Sequence, residues 1–392
     1  MKKLAVIGKG TAGCISAAYW ANRVNDKIDW YFDPNKKAQS VGEGANLLIP
    51  NFLKNELGWD YNNLSDIDGT FKHGIRKINW GGSGDFIHTF YLRDCSIHFN
   101  ATKLQNTISE QLKGKVNFIP TEITDHSQID ANYIIDCSGK PESLSNFQQA
   151  IGIPVNAAHV VQSYWDYPKF NYTLTMARPY GWVFGIPLPN RCSIGYLYNK
   201  NINTLEEVKE DIKKVFNELN LTPSETTNSL TFNNYYRKKN YTDRVAYNGN
   251  SSFFLEPLEA TSLASMIVVN DYANKFLTNP KISLDELNLN YTNFLQELEF
   301  MITIHYLAGS KFKTKFWDFA KKQSTKFLEN YDLTTWNNMI YKDVKEMYKS
   351  NIKFHPDSYT DVKEYGSWGR DNYLSNMKEL NLFNKLDKFL NK

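Results

Sequence analysis

The N-terminal segment alternates between short apolar runs and polar turns. Residues 4–7 form an apolar run of strand length, and residues 12–24 are rich in small and apolar side chains. Residues 28–32 predict a second strand, which ends at Asp33. A strand, a helix and a strand in this order predict a βαβ unit with parallel strands.

The rest of the pattern predicts a sheet followed by helices. Leu104, Ile108 and Leu112 lie on one face of a helix predicted at residues 101–112. Residues 160–198 alternate between apolar and polar positions and contain turn residues, which predicts a mixed or antiparallel sheet. Further predictions are short strands at 116–119 and 133–135, an amphipathic helix at 205–219, a loop and helix at 253–276, and helices from residue 284 onward.

A glycine-rich turn connects the first strand to the first helix. Gly8, Gly10 and Gly13 form the pattern GxGxxG. The first glycine makes the tight turn, the second lets the backbone approach a pyrophosphate, and the third lets the helix pack on the strand. Asp33 lies 20 residues beyond Gly13, where an acid can bind ribose hydroxyls. The turn predicts a dinucleotide site, and a tight turn in a non-binding α/β domain is the alternative.

A later segment favours FAD over NAD as the dinucleotide. Residues 245–250 predict a strand and a turn at Gly249, and residues 254–262 form a proline-containing loop that reaches a second helix. FAD monooxygenase folds use such a segment to hold the ribityl chain and the flavin ring. NAD domains usually complete their phosphate site within the first βαβ unit. An ordinary strand-loop-helix connection is the alternative.

Composition excludes several classes of protein. The formal charge of +3, from 45 basic and 42 acidic residues, gives no indication of nucleic-acid binding. The four cysteines are far apart and the seven histidines do not cluster, so we predict neither a disulfide framework nor a metal site. The first apolar run ends at Gly8, and no apolar run reaches about 18 residues. We therefore expect a cytoplasmic protein without a membrane span.

Several short motifs occur in one order along almost the whole chain. They are VGE at 41–43, GTFK at 69–72, INW at 78–80, IHF at 97–99, IIDCSG at 134–139, GWVFGIP at 181–187, FLEPLE at 254–259, and Trp368 with Asn372 and Tyr373. This series resembles the motifs of the flavin-dependent tryptophan halogenase family. The FLEPLE segment is similar at every position.

The resemblance implies an α/β fold with three modules. An FAD-binding Rossmann-like module of the FAD-dependent monooxygenase type is expected at residues 1–155 and 232–280, an additional sheet and helix at 156–231, and a C-terminal helical substrate module at 281–392. The implied cofactor-binding residues are Gly8, Gly10, Thr11, Ala12, Gly13, Asp33, Glu43, Gly44, Ile123, Gly249, Asn250 and Leu263.

The resemblance also implies a reaction in two stages. FADH2 and O2 oxidise a halide ion to hypohalous acid, which moves inside the protein to an aromatic, indole- or phenol-like substrate. Lys72 resembles the family's essential lysine, which hydrogen-bonds the hypohalous acid or becomes a haloamine. Glu259 resembles its catalytic glutamate, which accepts the ring proton or stabilises the cationic intermediate. The alternatives are a solvated surface lysine and an acid that complements a helix N-terminus.

Other residues resemble the family's halide, wall and substrate positions. Thr261 and Ser262 match the positions whose backbone N–H groups hold the halide, although the family's Ser-Thr-Gly is Ala-Thr-Ser here, and a plain helix N-cap is the alternative. The matches to the wall between flavin and substrate are Trp182, Phe184, Ile186 and Pro187, and the matches to the aromatic substrate faces are His88, Phe90 and Trp368. Core packing is the alternative for these side chains. The residues that grip free tryptophan have no counterpart, so only an aromatic substrate is implied.

Two other functions stay open on the residues alone. A flavin-dependent aromatic monooxygenase would hydroxylate its substrate without a halide or Lys72, and a catalytically inactive FAD-binding protein would only bind flavin. GxGxxG occurs once, so we expect a separate flavin reductase to supply FADH2. We expect no nucleic-acid or membrane partner, and a homodimer is compatible with this interpretation.

Overall fold

The computed structural model describes residues 3–36, 44–82, 84–90, 95–350 and 369–390. The strands in these ranges are β1 (Leu4–Ile7), β2 (Ile28–Tyr31), β3 (Thr70–Lys72), β4 (Gly74–Ile78), β5 (Asp85–Thr89), β6 (Ser96–His98), β7 (Val116–Ile119), β8 (Tyr133–Asp136), β9 (Phe147–Gln149), β10 (Ala157–Tyr164), β11 (Thr173–Arg178), β12 (Gly181–Pro187), β13 (Arg191–Tyr198), β14 (Thr227–Thr231), β15 (Tyr235–Arg237), β16 (Val245–Tyr247) and β17 (Phe253–Phe254).

The helices are α1 (Thr11–Ala21), α2 (Leu48–Leu57), α3 (Ala101–Gln111), α4 (Leu205–Glu218), α5 (Ser262–Thr278), α6 (Leu284–Ala308), α7 (Lys315–Asn330), α8 (Thr334–Trp336), α9 (Lys342–Lys349), α10 (Arg370–Glu379) and α11 (Phe383–Leu390). Short 3-10 turns occur at Tyr61–Ile67, His126–Gln128 and Gly249–Ser251, and a π-helical turn at Asn337–Tyr341 joins α8 to α9.

The chain folds into two compact units. The first comprises Met1–Gly69, Phe99–Gln149 and Tyr235–Gln296, and the second comprises Thr70–His98, Ala150–Asn234 and Glu297–Lys392. Each unit is therefore assembled from three separate stretches of the chain. The three-module division with boundaries near residues 155, 232 and 280 stays a prediction.

The first unit contains a parallel five-stranded sheet in the order β16-β8-β1-β2-β7. Strands β1 and β8 are buried along their whole length, which explains why they are apolar runs rather than alternating ones. The predicted βαβ unit is confirmed as β1-α1-β2, with Val6 opposite Trp30. A small antiparallel sheet, β17-β15-β9, belongs to the same unit.

Buried hydrogen bonds hold helices α1 and α5 together. Trp20 Nε1 donates to Asn270 Oδ1 at 2.8 Å, and Asn270 Nδ2 donates to Ser16 Oγ at 3.1 Å. Asn248 Nδ2 donates to the same hydroxyl at 3.1 Å. Because buried polar groups are costly unless they are paired, this network fixes α1, α5 and the turn after Asn248 relative to one another.

The second unit contains a seven-stranded sheet in the order β14-β10-β13-β12-β11-β4-β5. Its pairings are antiparallel except for the parallel pair β11 and β4, so the sheet predicted at 160–198 is confirmed. Helix α4 packs its apolar face on this sheet through Val208, Ile212 and Phe216. The buried Arg178 guanidinium of β11 anchors α4, because its Nε lies 2.9 Å from Asp211 Oδ2.

Aromatic side chains hold α6 and α7 to the same sheet. Trp182 Nε1 of β12 donates to the Tyr306 hydroxyl at 2.9 Å, and Trp317 Nε1 of α7 donates to the carbonyl of Arg178 at 2.8 Å. The Trp80 ring lies between these groups, 6.3 Å from the Trp182 ring and 5.5 Å from the Trp317 ring. These aromatic contacts attach α6 and α7 to the face of the sheet that carries Trp182.

Three further features bear on function. Among the described residues, no helix has the length and apolar character needed to cross a membrane. Within the same ranges, no group of three or more His, Cys, Asp or Glu side chains could hold a metal ion. The four cysteines are free thiols, and Cys14, Cys137 and Cys192 are buried.

Candidate functional site

Steric contacts in the first unit explain the glycine-rich turn. Gly8 has a φ of +94°, and a Cβ atom there would lie 2.3 Å from the Cys137 carbonyl oxygen. A Cβ atom at Gly13 would lie 1.9 Å from the Gly8 carbonyl oxygen. By contrast, a Cβ atom at Gly10 would meet no described atom within 4 Å. The turn is therefore closed at Gly8 and Gly13 but open at Gly10.

The N-terminus of α1 lies at the open part of this turn. The helix begins at Thr11, and among the described residues no side chain caps it and no acidic residue occupies its first turn. The Thr11 hydroxyl accepts a hydrogen bond from Gln105 Nε2 at 2.9 Å. A helix N-terminus with unused N–H groups attracts an anion, and open space at Gly10 gives a phosphate access to it. These residues fit the pyrophosphate of FAD.

The turn at Gly249 lies against the same helix. Gly249 has a φ of +60°, and a Cβ atom there would lie 2.5 Å from the Ala12 Cβ. The Asn248 side chain accepts the Gly249 N–H at 2.8 Å, and the Asn250 carbonyl accepts the Tyr235 hydroxyl at 2.8 Å. The structure therefore brings the two predicted cofactor segments, at residues 8–13 and 249–250, into contact within one unit.

The other predicted cofactor residues are spread around the parallel five-stranded sheet of the first unit. Asp33 follows β2 and accepts the N–H of Asn35 at 2.8 Å. Ile123 packs against an apolar cluster that includes Ala5 and Ile134 of this sheet. Leu263 is buried in the first turn of α5. Gly44 is half-buried, whereas Glu43 lies outside the described residues.

The FLEPLE loop leads from β17 into the N-terminus of α5. Glu256 and Glu259 are both buried, with 0% and 6% of their surface exposed. Ala260 has a φ of +53°, a left-handed conformation that costs a non-glycine residue about 1 kcal/mol. Thr261 then forms the N-cap of α5, and Ser262 is the first helical residue. The loop thus places a buried carboxylate directly before a helix N-terminus.

Lys72 is fully buried in the second unit, with 0% of its surface exposed. It ends β3, which pairs with β6 so that Lys72 lies opposite Ser96 and Thr70 lies opposite His98. The Lys72 Nζ lies 5.5 Å from the centre of the Phe90 ring. An ammonium at this distance interacts favourably with an aromatic face. The alternative of a solvated surface lysine is therefore wrong.

His98 beside Lys72 is a neutral histidine in a fixed tautomer. The Thr70 hydroxyl donates to the Pro187 carbonyl at 2.7 Å, so its oxygen accepts from His98 Nδ1 at 3.2 Å. His98 Nε2 then accepts the Thr173 hydroxyl at 2.9 Å. Burial, reinforced by the charge of Lys72, lowers the pKa of His98 well below its ordinary value. The sequence predicted no role for His98, although it lies in the IHF motif.

The predicted wall residues share one strand, β12. Trp182 is buried, whereas Phe184 and Ile186 are half-buried on the same face. The Phe184 ring covers Gly195 of the neighbouring strand, where a Cβ atom would lie 2.1 Å from the ring. The Pro187 carbonyl accepts a hydrogen bond from the hydroxyl of Thr70, which lies on the same strand as Lys72. The wall strand and the Lys72 strand are therefore joined directly.

Two of the three predicted substrate-contacting residues, His88 and Phe90, lie at the end of β5. His88 is 3% exposed, and its Nε2 lies 2.7 Å from Asn372 Oδ1 of α10. The His88 and Phe90 rings are 5.7 Å apart and nearly perpendicular, at 84°. Trp368, the third predicted aromatic face, lies outside the described residues. The partner Asn372 was recognised only as part of a motif, without a role.

Comparison with known proteins agrees with these features. The tryptophan halogenase family model matches residues 90–362, which is more than half of the chain. The chain belongs to the tryptophan halogenase family. The family identification made from the motifs is confirmed.

Tryptophan halogenases of known sequence are distant relatives of this chain. It is 22% identical over 228 residues to tryptophan 6-halogenase SttH of Streptomyces toxytricini, covering 54% of this chain and 42% of that protein. It is 23% identical over 324 residues to tryptophan 7-halogenase KtzQ of Kutzneria sp., covering 78% of this chain and 56% of that protein. The chain thus spans about half the length of these two curated relatives.

The fold is that of known flavin-dependent halogenases. The structure of Xcc4156, a flavin-dependent halogenase from Xanthomonas campestris, aligns with a TM-score of 0.78 at 16% identity, over 100% of this chain and 93% of that one. The predicted fold class, an α/β protein with an FAD-binding type of module, is confirmed. The roles of the individual site residues stay predictions.

Proposed function

We propose that this protein is an FADH2- and O2-dependent halogenase of an aromatic, indole- or phenol-like substrate. The observation that carries the proposal is the complete burial of Lys72 beside Phe90, in a chain of the tryptophan halogenase family. A buried, charged lysine is costly, so it is usually retained for chemistry or for a specific contact. Neither a hydroxylase nor an inactive flavin-binding protein requires this lysine.

The first unit would hold the cofactor and the halide. Bound FADH2 supplies, with O2, the oxidation that converts a halide ion into hypohalous acid. The N-terminus of α1 and the open space at Gly10 would bind the pyrophosphate, and Asp33 would bind the ribose. The backbone N–H groups at Thr261 and Ser262 would hold the halide, because the start of α5 favours an anion.

Lys72 would deliver the halogen. Its ammonium donates a hydrogen bond to the oxygen of hypohalous acid, which polarises the oxygen–halogen bond and makes the halogen more electrophilic. The halogen then bonds to a ring carbon, and the departing oxygen takes a proton from Lys72 and leaves as water. A haloamine formed at Lys72 Nζ is the alternative form of delivery.

Glu259 would remove the proton from the halogenated ring carbon and so restore aromaticity. A carboxylate in a buried loop suits this role, because it can act as a base away from bulk water. Return of that proton to Lys72 completes the cycle, and the balance is aromatic C–H plus hypohalous acid to aromatic C–halogen plus water.

The wall and the aromatic faces would set selectivity. Trp182, Phe184 and Ile186 share one apolar face of β12, which would keep the flavin from acting directly on the substrate, so that hydroxylation is avoided. His88, Phe90 and Trp368 would stack on the aromatic ring of the substrate. We propose a separate flavin reductase as the source of FADH2, a cytoplasmic location, and the three-module division given by the motifs.

A halide panel tests the proposed function. Purified protein receives FADH2 from a separate reductase, O2, and chloride, bromide or iodide, with a library of indoles and phenols read by mass spectrometry. The proposal predicts products whose mass changes with the halide. Hydroxylated products that form without halide would support the monooxygenase, and flavin binding with neither product would support the inactive protein. Appreciable NADH oxidation without the reductase would contradict a separate reductase.

A further inference from the structure

A second lysine, Lys77, is fully buried in the same unit as Lys72. It lies on β4, has 0% of its surface exposed, and shares a sheet face with Ile75. Its Nζ lies 2.7 Å from His305 Nε2 of α6 and 2.7 Å from Asn376 Oδ1 of α10. The neighbouring Arg76 has the opposite orientation and pairs with Asp85 near the surface. Lys77 thus joins one strand to two helices.

The hydrogen-bond directions identify the donor and the acceptor in this cluster. His305 Nδ1 lies 2.9 Å from the Met301 carbonyl, so this nitrogen carries the hydrogen. His305 Nε2 is then an acceptor, and the Lys77 amino group donates to it.

The same cluster continues along α10 to His88. The Asn376 oxygen accepts a hydrogen bond from Lys77 Nζ, and Asn376 Nδ2 donates to the Asn372 carbonyl at 2.9 Å. Asn372 Oδ1 lies 2.7 Å from His88 Nε2, so this ring nitrogen carries the hydrogen. A buried polar path therefore runs from α6 through Lys77 and α10 to a predicted substrate residue.

Strand and helix geometry match along this path. In the ladder of β4 and β5, His88 lies opposite Ile75 and Phe86 lies opposite Lys77, so the two polar residues are one strand repeat apart. Two residues of a strand advance about 6.6 Å, and four residues of a helix advance about 6 Å. Asn372 and Asn376, one helical turn apart, can therefore reach both positions at once. Helix α10 is held at two points on the sheet.

Stability alone does not explain a buried lysine with these partners. Apolar side chains of similar volume often stabilise a fold as well as, or better than, a buried charged cluster. Polar clusters of this kind are best known for fixing one arrangement among several packings. The arrangement fixed here is the position of α10, the helix that follows directly after Trp368 in the sequence.

From this geometry we propose that Lys77 is a positioning residue for the aromatic substrate. It acts through Asn376 and Asn372 and holds the His88 ring in one tautomer and one orientation. The inference rests on the proposed function only in taking His88 as a substrate contact. The competing explanation is that Lys77 merely attaches α10 to the sheet.

The test measures the His88 ring and catalysis separately. Histidine ring nitrogens of the full chain are labelled with ¹⁵N, and the His88 signals are assigned with the His88→Gln variant. In Lys77→Met, we expect the two His88 nitrogen signals to move towards each other as the tautomers begin to exchange. We expect kcat/KM for the aromatic substrate to fall about 10–100-fold, mainly through KM, while hypohalous acid formation is unchanged.

Two further variants keep the test decisive. Arg76→Gln, the neighbouring cation on the other sheet face, is the matched control and should leave the His88 signals in place. If Lys77→Met does not fold, the double variant Lys77→Met with Asn376→Leu replaces both partners by apolar groups, which is often nearly neutral for stability.

The outcomes separate this inference from the proposed function. Unchanged His88 signals in folded Lys77→Met or in the double variant would overturn the positioning role, even if thermal stability falls. His88 signals that respond to Lys77→Met would support it. If the wild-type protein halogenates no aromatic compound in the panel, the proposed function fails on its own measurement.

Discussion

Lys72 and His98 lie on paired strands, and the charge of one affects the other. The strand ladder places Thr70 opposite His98 and Lys72 opposite Ser96. Burial and the charge of Lys72 lower the pKa of His98 and keep its ring neutral, and the two threonine hydroxyls fix its tautomer. In the proposed reaction, a neutral His98 would leave Lys72 as the proton donor.

The pH dependence of stability tests this arrangement at the residue scale. The unfolded chain protonates a histidine near pH 6.5, whereas burial and Lys72 hold the pKa of His98 in the folded protein well below that value. The unfolded state therefore binds more protons below about pH 6.5, and stability falls as the pH falls, by at most about 1.4 kcal/mol per pH unit for one group.

The variant His98→Gln removes this dependence while it keeps a donor and an acceptor for the two threonines. Urea unfolding from about pH 7.5 to about pH 5 should show a shallower loss of stability in the variant than in the wild type. Parallel curves for the two proteins would mean that His98 is protonated as easily in the folded state as in the unfolded chain.

The elements differ in how clearly the sequence predicts them. The unit β1-α1-β2 and its glycine turn were predicted because the GxGxxG pattern follows an apolar run and precedes a helix, and the structure shows that Gly8 and Gly13 leave no room for a side chain. The short strand β3 was not predicted, since three residues give no periodicity. Its burial is also the reverse of what side-chain polarity predicts, because the apolar Phe71 is 41% exposed whereas the polar Lys72 is completely buried. Only the motif around Lys72 indicated that this lysine is unusual.

The glycine turn gives a prediction at the element scale. Gly10→Ala places its methyl group in open space, so stability should change by no more than about 0.5 kcal/mol, while FAD affinity should fall at least about 10-fold. Gly13→Ala, the matched variant, forces a methyl group against the Gly8 carbonyl and should destabilise the fold by about 1–3 kcal/mol. Urea unfolding of the flavin-free protein and fluorescence titration with FAD measure the two effects.

If Gly10→Ala binds FAD as tightly as the wild type, the pyrophosphate does not approach the backbone at this residue. Equal stabilities of the two variants would contradict the closed packing at Gly13.

At the scale of the whole molecule, the sequence indicated the family but not how distant segments of the chain pack together. Motifs in a fixed order predicted the fold, because each motif is a short run of neighbouring residues that can be recognised in the sequence alone. The contact between Lys77 and Asn376 joins residues that are 299 positions apart, and no local pattern indicates it. The same holds for the two units, each built from three separate stretches of the chain. Long-range packing decides such features, and periodicity within one segment does not report on it.

We propose that hypohalous acid forms without Lys72 and that its halogen reaches the substrate through Lys72. The most direct measurement follows hypohalous acid with a chemical trap and halogenated product by mass spectrometry, in the wild type and in Lys72→Met. Lys113→Met serves as the control, because this lysine has 67% of its side chain exposed. In Lys72→Met, we expect hypohalous acid to form at the wild-type rate and halogenated product to fall at least about 100-fold. Product formed by Lys72→Met at the wild-type rate would contradict it.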